Sequence, residues 1–131
     1  SYLAIADLAA AAARAERYLE ARTLLERALA QVEAAPGPRL EQLAARARGL
    51  LAEPADAGAY FAAPLAEPAG STWPFERAQL QLDYGEWLRR QRRINDAKPV
   101  LGDALETFRR LGAAPWTGRS RWSASAVSGR A

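Results

Sequence analysis

The stretches ARTLLERA (21–28), AYFAAPLA (59–66) and AKPVLGDA (97–104) decide the fold. Ala21, Ala59 and Ala97 stand 38 residues apart, as do Ala28, Ala66 and Ala104, with Leu25, Ala63 and Leu101 between them at the same interval. Residues at i, i+4 and i+7 share one face of an α-helix. A small–apolar–small face that recurs three times marks a repeat architecture. Alanine on that face lets a neighbouring helix approach closely. The predicted unit is a helical hairpin, and the predicted fold is an all-α, right-handed superhelical stack of three such hairpins. A stack of this kind is a surface for holding something and argues against a catalytic site.

Composition supports the helical reading. About a quarter of the 131 residues are alanine, the strongest helix former. The chain has no cysteine and no histidine, which removes disulfide and thiol chemistry, the usual general base and the commonest metal ligands. Carboxylate pairs such as Glu16 and Glu20, or Asp103 and Glu106, fall on helix faces where charge is solvated. Catalysis by such a pair also needs surroundings that shift a pKa. We therefore expect no enzyme activity, no metal and no cofactor. The most apolar stretch, 2–15, contains Asp7 and is followed at once by charge, so neither a membrane span nor a signal peptide is expected, and the default location is the cytoplasm. A chain that starts at Ser1 and contains no methionine reads as part of a longer one.

The breakers divide the chain. Helices are predicted over 2–17 and 19–35, with a stop at Pro36, Gly37 and Pro38. The second unit runs over 39–53, breaks at Pro54 and resumes near Asp56 as N-cap. Its second helix is weakened by Gly58 and by Pro64. Residues 67–72 read as a loop, with Ser71 or Thr72 capping a long helix over 73–93 that has Pro74 in its first turn. Asn95 or Asp96 caps the next helix, which has Pro99 in its first turn and Gly112 as its stop. Pro115 and Trp116 mark the start of one more helix, while 123–131 read as frayed. The division expected is a helical-repeat domain over 1–116 and a partly helical or disordered tail over 117–131.

Two resemblances follow from these residues. Gly85, Ala97, Leu101 and Ala104 are similar to the small–large–small positions of tetratricopeptide repeats. Ala9, Ala21, Leu25 and Ala28 fit the same pattern, as do Ala47, Ala59, Ala63 and Ala66 with the large residue replaced by alanine. More specifically, WPFERAQLQLDYGEWLRRQRR (73–93) and LETFRRLGAAPW (105–116) resemble the last repeats of large ATP-binding LuxR-type transcriptional regulators with the layout of the maltose-regulon activator. The resemblance implies a helical-repeat region that senses an effector or binds a protein, between an ATPase and a DNA-binding domain. Neither GxxxxGK[ST] nor a helix-turn-helix occurs within these residues. The competing reading is a stand-alone tetratricopeptide-like adaptor for a peptide or protein.

The charge is uneven. Residues 1–88 carry 8 basic and 12 acidic side chains, and residues 89–131 carry 10 and 3. The densest run is Arg89, Arg90, Arg92 and Arg93. Cations there complement the dipole of a helix C-terminus, and no aromatic residue interleaves with them as nucleic-acid binding would require. Direct nucleic-acid binding is therefore not expected. Phe75, Tyr84, Trp87 and Phe108 read as core, because stacked hairpins bury large residues between layers. The first helices of tetratricopeptide-like stacks line the concave face. That carries Ala6, Ala10 and Arg14, then Glu41, Ala44 and Arg48, then Leu82, Glu86, Arg89 and Arg90, onto one surface. Arg14, Arg48, Glu86, Arg89 and Arg90 are the candidate partner-binding residues, suited to a peptide carboxylate or an acidic helix. Uncapped repeats also expose apolar ends, which predicts either a homodimer or a tail folded around Trp116 and Trp122 over the last hairpin.

Overall fold

Proline at the first turn opens four of the five described helices. The structure, a computed structural model, describes residues 37–128 together with Arg22, Glu26 and Ala30. The helices are α1 (Pro38–Leu51), α2 (Pro54–Leu65), α3 (Pro74–Arg90), α4 (Ile94–Leu111) and α5 (Ala114–Val127), with a short 3-10 turn at Pro68–Thr72 between α2 and α3. No strand occurs among the described residues. Apart from Arg22, Glu26 and Ala30, the hairpin expected over 2–35 lies outside the described residues, as does Arg14.

Pro38, Pro54, Pro74 and Pro115 each sit at the start of a helix, where the missing N–H would have had no intrahelical partner. This start replaces the side-chain caps expected at Asp56, Ser71, Thr72, Asn95 and Asp96. None of the five helices has a side-chain cap hydrogen bond. Asp56 and Asp96 fall inside the first turn instead, and Ser71 donates to the Pro68 carbonyl at 2.7 Å. Because α4 begins at Ile94, Pro99 lies in its second turn. The bond lost there frees the carbonyl of Asn95, an exposed residue that water can reach.

Gly112 ends α4 in the left-handed conformation, φ 69°, as expected. Ala113 N–H donates to Phe108 C=O at 3.0 Å and Gly112 N–H to Arg109 C=O at 3.1 Å. The same pair of bonds closes α3, from Arg93 to Leu88 and from Arg92 to Arg89, both at 2.9 Å. There the left-handed residue is Arg92, φ 62°.

Each helix packs on its chain neighbour, and α3 also touches α1 and α5. This is the nearest-neighbour logic of a helical repeat. Two cores result. One joins Leu82, Leu88, Leu101, Phe108 and Val127. The other joins Ala45, Ala57, Phe61 and Leu80. Tyr84 and Trp87 of α3 border both, their rings stacked at 6.1 Å. The Trp87 indole N–H donates to the Pro54 carbonyl at 2.7 Å, tying the start of α2 to the end of α3. Phe75, Phe108 and Trp116 form a second aromatic group, with Phe108 and Trp116 stacked at 5.6 Å.

The alanine period is not the packing register. Ala97, Leu101 and Ala104 are fully buried, but their counterparts Ala59, Ala63 and Ala66 are exposed, and α2 buries Ala57, Gly58 and Phe61 instead. The helix at the C-terminal end also extends further than the frayed tail expected. It runs to Val127, buries Ser120, Ser123 and Val127, and includes residue 116, where the repeat domain was expected to end.

Candidate interaction surface

Three first helices, α1, α3 and α5, lie side by side and are joined by charge. Arg39 of α1 pairs with Glu76 of α3 at 2.7 Å. Two helical turns further on, Arg46 pairs with Asp83, both side chains almost fully buried. Arg119 of α5 reaches Asp83 at 3.3 Å and Glu86 at 2.6 Å, and the Ser123 hydroxyl donates to Glu86 at 2.8 Å. Both the Arg46 and the Arg119 guanidinium lie over the Trp116 ring, at 5.4 and 5.6 Å from its centroid. Burial pushes the Asp83 carboxyl up from its ordinary range, and Arg46 and Arg119 offset only part of that rise. A buried carboxylate is kept charged by its guanidinium partners, so removing either one leaves it less compensated.

This ladder sets the offset between α1 and α3 at 37 residues, from Arg39 to Glu76 and from Arg46 to Asp83. Gln42 and Gln79 share that offset and are both buried. On this register Arg48 corresponds to Gly85, not to Arg89, and the expected single concave surface divides.

Arg48 lines a groove of about 590 Å³ between α1 and α2, with Leu40, Ala44, Ala59, Tyr60 and Ala63. Tyr60 stands 43 % exposed on it. Glu86 is engaged by Arg119 and Ser123 and belongs to the ladder. Arg89 lies over the Trp122 ring at 6.0 Å, beside exposed Arg90. Ala44 and Leu82, expected as steps of an open face, are buried. The structure therefore brings Arg89 and Arg90 together at the end of α3, places Arg48 in a separate groove, and commits Glu86 to a structural pair.

Two features escaped the sequence reading. The ladder had a signal, since opposite charges recur at a constant spacing of 37. The Trp122–Arg89 contact had none, because the two residues meet only through the fold of α5 against α3. Of the expected tail contacts, Trp116 packs into the core group, while Trp122 remains 68 % exposed.

Among the described residues no helix is long and apolar enough to cross a membrane. Comparison of the chain with protein-family models, with curated proteins and with solved structures finds no match.

Proposed function

We propose that this chain is the effector-sensing or protein-interaction repeat region of a cytoplasmic LuxR-type, ATP-binding transcriptional regulator, acting without catalysis of its own. The observation that carries the reading is where the resembling phrases fall. PFERA opens α3, YGEWLRR closes it, and FRRLGAAPW spans the α4–α5 turn. Their residues are the joints of the stack: Gly85 lies under Leu101, Phe108 stacks on Trp116, and Gly112 makes the left-handed turn. The groove of α1 and α2 is the cavity suited to an effector or a short peptide, since it combines apolar walls with a few placed polar groups.

The test is the reading frame on either side, followed by ligand binding. A P-loop ATPase upstream and a helix-turn-helix downstream support the reading. A frame with neither would overturn it in favour of an adaptor. Within a regulator, Tyr60→Ala should weaken effector binding while leaving the helical content unchanged. Unaltered effector affinity would remove the groove as the site.

A further inference from the structure

The turn between α3 and α4 concentrates cations that the helix end cannot absorb. The C-terminus of α3 presents the equivalent of about half a negative charge. Against it stand Arg89, Arg90, Arg92 and Arg93, of which Arg93 is paired with Asp96 at 3.0 Å. Arg90, Arg92 and Arg121 are exposed and have no carboxylate partner among the described residues. The Nε of Arg89 is buried without an acceptor. Onto this end α5 lays Trp122, 68 % exposed and within 6.0 Å of the Arg89 guanidinium. Arg92 itself holds a left-handed conformation, where its counterpart at the end of α4 is Gly112. An L side chain in that region is strained, and such outliers point toward function.

We propose that this surface docks an acidic peptide segment that carries one apolar or aromatic side chain among its carboxylates. Guanidinium forks match carboxylates with two parallel hydrogen bonds, and tryptophan and arginine are the side chains that dominate protein–protein binding energy. Trp122 takes the apolar side chain on its open face, while Arg89 stays against the indole. Arg90 and Arg92, at the same helix end, take the carboxylates. A nucleic-acid strand fits less well. It needs several stacking rings along a cationic groove, and here Trp122 is the one exposed ring beside the arginines. The inference rests on the α3–α5 geometry alone and holds for a regulator and for an adaptor alike.

The experiment titrates the full chain, in low salt, with a fluorescein-labelled peptide of eight glutamates interrupted by one phenylalanine. The same peptide without phenylalanine and a twelve-residue oligo-dT serve as comparisons. Saturable binding is expected for the first peptide, about tenfold weaker for the second, and weaker still for oligo-dT. Arg92→Gly and Trp122→Ala should each weaken the first by about tenfold, the loss that follows from one charge-assisted or aromatic contact. Arg92→Gly relieves the strained turn, so its melting temperature should rise while its binding falls, and misfolding cannot produce that combination. No saturable binding, wild-type affinity in both variants, or tighter binding to oligo-dT would each overturn the proposal. The last of these would assign the patch to nucleic acid.

Discussion

The hairpins α1–α2 and α3–α4 make the same joint with different spacing. In the first, a Cβ on Gly49 would lie 2.3 Å from the Phe61 ring, and in the second a Cβ on Gly85 would lie 2.5 Å from Leu101. Glycine is required at both because a large side chain already occupies the space. Yet glycine and large residue are 12 apart in the first hairpin and 16 apart in the second. Helix α3 is longer than α1, 17 residues against 14, and its connection to the next helix is one residue longer. Three of the four added residues are helical and make about 0.8 of a turn, so nearly the same face comes round again. The joint survives an insertion of one turn but would not survive an insertion of two residues. A helical repeat preserves which face meets its neighbour, and chain spacing can drift around it.

The two hairpins are locked to each other by Arg46 and Asp83, and the largest effect should come from breaking that lock. Asp83→Ala removes the buried carboxylate that Arg46 and Arg119 share and should cost about 3–5 kcal/mol, read as a lower denaturation midpoint. Glu76→Ala, whose partner Arg39 is 46 % exposed, should cost no more than about 1 kcal/mol. Equal losses would show that the hairpins are not held by the buried pair.

Next come the joints. Gly85→Ala should destabilise by about 1–3 kcal/mol through overpacking, and Gly49→Ala by a similar amount. Combining Gly85→Ala with Leu101→Ala should cost less than the two losses added together. Strict additivity in that cycle would mean the pair does not share space.

The helix ends differ too. Arg92→Gly should stabilise by about 1 kcal/mol, because it removes the left-handed penalty of an L side chain, whereas Gly112→Ala, at the same place on α4, should lose about as much. Thermal unfolding of the two variants gives opposite signs or the comparison fails.

The smallest effect expected is at Gly102, in the interior of α4 with nothing within 4 Å of an added Cβ. Gly102→Ala should gain about 0.5–1 kcal/mol from backbone entropy. A loss there would mean that α4 is covered on its outer face.

Much of the candidate surface was illegible for a specific reason. Arg48 and Arg89 read as neighbours when aligned by helix position, but the ladder places Gly85, not Arg89, opposite Arg48. A shift of four residues keeps an apolar face in register and moves every individual arginine to a new neighbour. The exposed Ala59 and Ala63 show the same thing in the core, since they match Ala97 and Leu101 in spacing but line a groove.

Local chemistry determined the helices, because alanine content, proline at helix starts and glycine at Gly112 act on the backbone within a turn or two of themselves. The repeat of hairpins followed from the same signals, since hairpins with one apolar face have to stack. Which residues face each other was decided by the tertiary structure alone. The 36-residue offset of the glycines and the 40-residue offset of Phe61 and Leu101 average to the alanine period, and only packed helices separate them. The meeting of Trp122 with Arg89, and of Arg119 with Asp83 and Glu86, depends on the angle at which α5 returns along α3. Trp116 and Val127 of α5 pack into the core beside α3, a tertiary contact that no local pattern encodes.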